Sequence, residues 1–186
     1  MKYRVIYSNR RTMALEIRNG ELIVRAPLLA TKQRIRAFVE ERRDWIEKHL
    51  AKSEARRREA EAAGAFTKEE LSALAKEAAK VIPERVAHYA PLVGVSYGRI
   101  TIRAQKTRWG SCSSKGNLSF NCLLMRTPPE VLDSVVVHEL CHIKQMNHSP
   151  KFYMEVERVY PEYDRWHRWL DEHGGVLLSR LRSSEQ

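Results

Sequence analysis

Alternating apolar and polar positions dominate the first 26 residues of the chain. Tyr3, Val5 and Tyr7 alternate with polar neighbours, and the same period returns at 13–17 and 22–24. The dipeptide Asn19-Gly20, which is typical of tight hairpin turns, separates the last two runs. The pattern predicts three strands, and we expect them to form an antiparallel β-meander.

A helical period follows. From Thr31 onward, apolar residues recur at intervals of three and four as far as Leu50, which predicts one long helix with a charged continuation. A break at 62–65 precedes a capping box that begins at Thr67, and Pro83 is expected to kink or end the second helix. These two helices are expected to form a hairpin that ends near residue 90.

Short strand and helix signals alternate through the rest of the chain. Residues 95–104 and 118–125 alternate as strands do, and the segment 109–114 is rich in turn-forming residues. A second capping box at Thr127, with a proline at the first helical position, predicts the start of a helix. A further helix near the carboxy terminus is expected to end at Gly174.

The helix that begins after Thr127 carries the most specific chemical pattern in the chain. His138 and His142 are four residues apart, so their imidazoles lie on one face of the helix, one turn apart. Glu139 follows the first histidine, which completes the pattern H-E-x-x-H. In this pattern the two histidines bind one metal ion and the glutamate contacts the water that the metal activates.

A catalytic zinc site needs a third protein ligand and one open position. His148 follows His142 after five residues, the interval found in metzincins, although Gln145 stands where metzincins have glycine. Some H-E-x-x-H enzymes use a glutamate instead, and Glu155 is the alternative here. Cys141 points in a different direction from the two helical histidines, and we interpret it as a core thiol.

Four segments of the sequence together resemble the YgjP-like metallopeptidase domain family, which is of the zincin type. They are residues 107–113, 117–123, 138–142 and 146–152. The histidine spacing is more distantly similar to that of the WLM and SprT-type proteases. The resemblance implies one zinc ion on His138, His142 and His148, with Glu139 as the general base.

The resemblance and the patterns together give an α+β fold. We expect the amino-terminal meander, then the helical hairpin, then a zincin-like small sheet with a metal-binding helix and carboxy-terminal helices. Residues 1–62 would form an appendage packed on the main domain, and residues 63–186 would form the catalytic domain. The implied function is that of a zinc-dependent metallopeptidase, in which a zinc-activated water attacks the peptide bond and Glu139 takes its proton.

Several residues near the motif are candidates for binding the substrate. If the strand at 118–125 lies at the edge of its sheet, an extended peptide could pair with it. Tyr153, His167 and the backbone of 109–111 are candidates for stabilising the oxyanion. The full set of expected substrate contacts is Arg108, Trp109, Gly110, Ser111, Asn121 and Tyr153.

Charge and composition add candidate partners and a location. The net charge is +10, and the first 62 residues contribute +7 of it, which suggests contact with a polyanion or nucleic acid. The longest unbroken apolar run has four residues, far fewer than the roughly 18 of a membrane span. Three cysteines without paired spacing and no export signal predict a cytoplasmic protein.

Two other functions compete with the peptidase. A metal-dependent hydrolase could act on nucleotide phosphoanhydrides, with Lys106, Arg108 and Arg126 holding the phosphates, although the chain has no glycine-rich phosphate loop. Alternatively, the basic first third could recruit a nucleic acid to which the protease's substrates are bound. The oligomeric state is left open by the sequence.

Overall fold

A computed structural model describes residues 1–18 and 20–183 of the chain. The described residues form two three-stranded sheets and six α-helices, which confirms the α+β class. The chain divides into two compact units, Met1–Glu59 and Ala60–Gln186. The predicted roles of appendage and catalytic domain stay predictions. None of the described helices is both long and apolar enough to cross a bilayer.

The first unit begins with three strands, β1 (Arg4–Ser8), β2 (Ala14–Arg18) and β3 (Glu21–Pro27). Their order in the sheet is β1-β3-β2, with β1 parallel to β3 and β2 antiparallel to it. The predicted meander is therefore wrong. In β3 three successive residues, Leu22 to Val24, are buried, so this strand takes the central position where both of its faces are covered.

The turn between β2 and β3 includes Gly20, whose φ of 77° lies in the left-handed region that glycine tolerates. Asn19, the other half of the predicted turn, lies outside the described residues.

The segment predicted as two helices forms three, which are α1 (Lys32–Glu41), α2 (Arg43–Ala63) and α3 (Lys68–Val93). Helix α1 ends because the backbone leaves helical geometry at Arg42, whose N–H donates to the carbonyl of Val39 at 3.2 Å. The capping box of α3, formed by Thr67 and Glu70, is confirmed. Helix α3 continues through Pro83 because its buried face, from Leu74 to Val93, outweighs one lost hydrogen bond.

The second sheet contains β4 (Ile100–Arg103), β5 (Gly110–Cys112) and β6 (Leu118–Asn121) in the order β4-β6-β5. Strand β6 is parallel to β4 and antiparallel to β5. The strand predicted to reach residue 125 ends at Asn121, because the Asn121 side chain accepts a hydrogen bond from the Leu123 N–H and starts a short 3-10 helix, Cys122–Arg126.

Three helices complete the second unit, namely α4 (Pro129–Lys144), α5 (Pro150–Val159) and α6 (Tyr163–Ser183). The predicted capping box at Thr127 does not form, since the Thr127 hydroxyl donates to the carbonyl of Leu124 instead. Helix α4 is buried along most of its length, from Val131 to His142. Helix α6 continues through Gly174, which was predicted to end it.

The position of Gly174 explains why a glycine occurs inside α6. A Cβ atom at this position would lie 2.8 Å from the ring of Trp109, closer than a carbon contact allows. The glycine therefore lets helix α6 pack directly against the indole of Trp109, just before β5.

Candidate metal centre and active site

Three imidazoles converge on one point at the end of α4. His138 and His142 lie one turn apart on the helix, and His148 lies between α4 and α5. The Nε2 atom of His138 lies 3.1 Å from the Nε2 atoms of both His142 and His148. Two nitrogens bound to the same tetrahedral zinc ion lie about 3.3 Å apart, as bond lengths of about 2.0–2.1 Å require. The donor set therefore fits a single ion.

The outer nitrogens of the two helical imidazoles are held by the protein. The Nδ1 atom of His142 lies 3.1 Å from the carbonyl of Gln145, which can only accept, so Nδ1 carries the proton and Nε2 is free to bind a metal. The Nδ1 atom of His138 lies 2.8 Å from the hydroxyl oxygen of the buried Tyr163. Contacts of this kind fix the orientation of metal-binding histidines.

An aromatic ring packs against the three imidazoles. The ring of Phe152, fully buried on α5, lies 4.6 to 5.0 Å from the centres of all three imidazoles. Burial, followed by repulsion from the neighbouring imidazoles, lowers the pKa of His138 to about 3. Burial likewise lowers the pKa of His142. Both shifts favour the neutral imidazole, which is the form that binds metal ions.

Glu139 lies beside this cluster in a nearly closed environment. Its side chain is only 5% exposed, and its Oε2 atom has no hydrogen-bond partner among the described residues. Burial raises the pKa of Glu139 to about 8, although the positive charge of Arg108 opposes the shift. A buried, unpartnered carboxyl group is costly, so its occurrence beside a pocket indicates a functional role.

Gly110 makes room for the Glu139 carboxyl group. A Cβ atom on Gly110 would lie 2.5 Å from Oε1 of Glu139 and 2.8 Å from its Cδ atom. Since Gly110 begins β5, the carboxyl group of Glu139 lies directly against the backbone of an edge strand.

A pocket opens over Glu139 and His138. Its wall combines polar groups with apolar side chains. The lining residues are Trp109, Gly110, Ser134, Val135, His138, Glu139, Tyr163, His167 and Leu170.

Some of the predicted substrate-binding residues line the pocket, and others do not. Trp109 and Gly110 line the pocket, whereas Ser111 does not. Arg108 is exposed but close enough to influence Glu139. Tyr153, which is 39% exposed, lies near His148, with ring centres 6.2 Å apart.

Asn121 is not part of the pocket. Its side chain is fully buried, and its amide donates to the carbonyls of Gln105 and Arg108 at 2.7 and 3.0 Å. It thus holds the loop before β5 in place. The condition for pairing an extended peptide with this strand is not met, because β6 is the central strand of its sheet.

Comparison with known proteins assigns the family. The sequence profile of the YgjP-like metallopeptidase domain matches residues 11–73 and 65–173. The chain belongs to this family. This YgjP-like metallopeptidase is accordingly a metal-dependent hydrolase.

Two solved structures are similar to half of this YgjP-like metallopeptidase. One is the metallopeptidase zymogen of Pyrococcus abyssi abylysin, with 24% identity and a TM-score of 0.46 over 50% of this chain and 96% of that chain. The other is the zymogen of Methanocaldococcus jannaschii jannalysin, with 25% identity and a TM-score of 0.44 over the same shares. No curated protein matches the chain.

The alternative third ligand of this YgjP-like metallopeptidase lies elsewhere. Among the described residues, the three histidines are the one group of at least three metal-binding side chains that meet. The carboxylate of Glu155 instead accepts hydrogen bonds from Lys144 and Arg158. Cys141 is a buried free thiol outside the group.

Two supporting residues of the YgjP-like site were not predicted from the sequence. Tyr163 is 25 positions from His138, and no local pattern connects them. Phe152 is four residues after His148, but an aromatic residue at the start of a helix is usually part of a core. Only the packing of α5 and α6 on α4 shows that both residues contact the cluster.

Proposed function

We propose that this YgjP-like metallopeptidase is a zinc-dependent enzyme that hydrolyses peptide bonds. His138, His142 and His148 would hold one zinc ion, and Glu139 would be the general base. One observation carries the proposal, namely the convergence of three imidazole Nε2 atoms beside a buried carboxyl group that has no partner in the described chain. Three imidazoles and an open position are the donor set of a catalytic zinc site.

Different residues of the pocket would have different roles in hydrolysis. When bound, zinc would polarise the scissile carbonyl and lower the pKa of a water molecule to about 7. In its ionised form, which the positive charge of bound zinc would favour, Glu139 would accept the proton of that water at Oε2, the atom without a partner among the described residues, and pass it to the leaving amine. Gly110 keeps this carboxyl group against β5, and Tyr163 holds the His138 ring in place.

Other features of the pocket favour an extended peptide as the substrate. Strand β5 is an edge strand whose first residue contacts Glu139, so a peptide could pair with it close to the reacting groups. Val135 and Leu170 give the pocket an apolar wall suited to a substrate side chain. His167 lines the same pocket and is a candidate donor to the oxyanion.

Paired substitutions test the assignment of the base. Glu139→Gln is expected to retain zinc and to lose about 10²- to 10⁴-fold of the hydrolytic rate, because the amide cannot accept the proton. Glu155→Gln is the matched control and should retain activity. Cleavage of a peptide library by the zinc-loaded protein, analysed by mass spectrometry, gives the rate. Full activity in Glu139→Gln would contradict the proposal.

Metal content tests the ligands independently of activity. His148→Ala should lose the stoichiometric zinc measured by elemental analysis, whereas His173→Ala, which removes a surface histidine on α6, should retain it. Zinc loss in Glu155→Ala, with zinc retained in His148→Ala, would instead assign Glu155 as the third ligand.

Nucleotide hydrolysis tests the competing function. Release of phosphate from nucleoside triphosphates, abolished by Glu139→Gln in the absence of any peptide cleavage, would show a phosphoanhydride hydrolase instead.

The proposed location in a reducing cytoplasm is supported by the three cysteines, all of which are free thiols.

A further inference from the structure

An open apolar groove lies within the first unit, beside the free edge of β2. Strand β2 is at the edge of its sheet, and none of the backbone hydrogen bonds described outside the sheet involves residues 14–18. We call this apolar groove the β2 groove, and its walls are Met13, Ala14, Leu15, Phe38, Arg42 and Trp45.

The pleat of the sheet determines what a further strand would contact. Leu15 and Ile17 are paired with Val24 and Leu22 of β3, and all four belong to the core of this unit. Helical residues of α1 and α2 cover the same face of the sheet. Because side chains alternate between the faces of a sheet, a strand added beside β2 would direct every second side chain into the groove.

The aromatic wall of the groove is exposed and held in place. Trp45 is 42% exposed, and its indole stacks on His49 with ring centres 3.9 Å apart. The guanidinium carbon of Arg42 lies 4.1 Å from the centre of the Phe38 ring. Aromatic and arginine side chains are enriched at binding hot spots.

Unpaired positive charge lies beside the groove, whereas the nearby carboxylates of Glu16 and Glu41 are ion-paired with Arg25 and Arg42. Arg11, which precedes β2, and Arg18, the last residue of β2, are both exposed, and neither forms an ion pair among the described residues. Across residues 1–59 the sequence has 16 lysines and arginines against 8 acidic residues. The surface is therefore complementary to an acidic ligand.

We propose that the β2 groove binds an extended acidic peptide by strand addition. The backbone of the peptide would pair with the free edge of β2, its apolar side chains would contact Phe38 and Trp45, and its carboxylates would lie near Arg11 and Arg18. A nucleic acid could stack on Trp45 but would leave the hydrogen-bonding groups of the strand edge unused, so the observations favour a peptide. The proposal does not depend on the peptidase activity.

Binding by the whole 186-residue chain tests the proposal. The host protein carries Glu139→Gln so that the probe is not cleaved. The probe is a fluorescein-labelled ten-residue peptide that alternates leucine with aspartate, and its dissociation constant is measured by fluorescence anisotropy. Trp45→Ala should weaken binding about tenfold or more, as for an aromatic hot spot.

A matched control is available on α6. Trp169 stacks on His173 just as Trp45 stacks on His49, with ring centres 4.6 Å apart. Trp169→Ala removes an equivalent pair outside the groove and should leave binding unchanged. Circular dichroism of both variants verifies that they are folded.

Strand pairing and charge each have a separate test. Alternate N–H groups of the added strand point to opposite edges, and only one set faces β2. N-methylation of that set should abolish binding, whereas N-methylation of the other set should leave binding unchanged. Arg18→Glu, an exposed change that does not affect the core, should reverse the preference for this probe over its lysine counterpart.

Four outcomes would overturn the proposal. The first is equal affinity in the Trp45 and Trp169 variants, and the second is tight binding by both N-methylated isomers. The third is Trp45-dependent binding of a uridine ten-mer RNA without binding of the peptide, which would make the groove a nucleic-acid site. Absence of any peptide binding would overturn it as well.

Discussion

Gly110 and Glu139 illustrate how one missing side chain determines the position of a reactive group. Because the Cα of Gly110 has no Cβ, the carboxyl group of Glu139 approaches the backbone of β5 more closely than any other residue type would allow. The same carboxyl group has little exposure and one oxygen without a described partner. Glu139 is therefore positioned by the space around it more than by hydrogen bonds.

Gly110→Ala should displace the Glu139 carboxyl group without affecting the metal ligands. A shift of about 1 Å in a reacting group can cost about 10²-fold in rate, and we expect a loss of that order in peptide hydrolysis. Zinc content should be unchanged. Gly98→Ala is a matched control, since its Cβ would lie 2.5 Å from the amide oxygen of Asn117, outside the pocket. Wild-type activity in Gly110→Ala would contradict this role of the glycine.

Tyr163→Phe should weaken metal binding. The hydroxyl group of Tyr163 is 2.8 Å from Nδ1 of His138, and loss of such a supporting contact typically costs 10- to 100-fold in metal affinity. Competition with a chromogenic chelator measures the dissociation constant for zinc. Tyr160→Phe, which removes a hydroxyl that donates to the Glu130 carbonyl, is the control and should bind zinc normally. Equal affinity in both variants would show that Tyr163 has no positioning role.

The sequence predicts candidate residues well where they are close together along the chain. His138, His142 and His148 lie within eleven positions, so helical geometry and one turn bring them together. Tyr163 and Gly110 contact the same site from 25 and 29 positions away from His138 and Glu139, respectively. Their contacts depend on how α6 and β5 pack on α4, which residue spacing does not encode.

The same limit applies to helices and strands, since local patterns are predictable and pairings between distant segments are not. The apolar period of α3 and the proline at the start of α4 predicted both helices, whereas strand pairing in the two sheets could not be predicted. Strand β1 skips its neighbour in sequence to pair with β3, and β4 pairs with β6 across residues 104–117. These parallel pairs depend on which strand has side chains buried on both faces, because that strand takes the central position of its sheet. Strand β5 was predicted as a turn because Gly-Ser-Cys has no apolar alternation.

An ion-pair cluster connects the ends of three helices. Glu155 of α5 accepts hydrogen bonds from Arg158 and from Lys144 at the end of α4, and Arg158 also donates to the carbonyl of Leu92 in α3 at 3.0 Å. The hydrogen bond from Arg158, followed by that from Lys144, lowers the pKa of Glu155 to about 2. The folded state thus favours the ionised carboxylate.

This shift gives Glu155 a pH-dependent contribution to stability. Because its folded pKa is lowered, the stabilisation is fully present above its ordinary pKa and disappears as the pH falls from about 4.5 to about 2. Glu155→Gln should reduce the free energy of unfolding by about 1 kcal/mol near pH 7, since its partners are partly exposed. Urea unfolding with a chelator present, at pH values between 7 and 3, measures the difference.

Glu162→Gln is the control for this pH profile. Glu162, which precedes α6, pairs with Arg165 on the exposed surface, where ion pairs contribute little, so its replacement should have a smaller effect at every pH. If the difference between wild type and Glu155→Gln stays constant from pH 7 to pH 3, the ion pairs of Glu155 do not stabilise the fold.

At the scale of the whole molecule, each of the two compact units has a hydrophobic core of its own. In the first unit it includes Leu22, Val24, Ile35 and Ile46. The second unit has the larger core, and all the proposed metal ligands belong to this unit. Metal binding is therefore expected to stabilise the second unit directly.

Zinc should slow hydrogen exchange mainly in residues 60–183. At a free zinc concentration about 100 times the dissociation constant, binding adds about 2.7 kcal/mol to the stability of the structure that holds it. Exchange followed by mass spectrometry, with zinc or with a chelator, should show slower exchange in α4 and α5 and no change in β1 to β3. His148→Ala should show no response to zinc. Equal slowing in β1 to β3 would mean that the two cores open together, because only then would metal binding protect amides supported by a separate core.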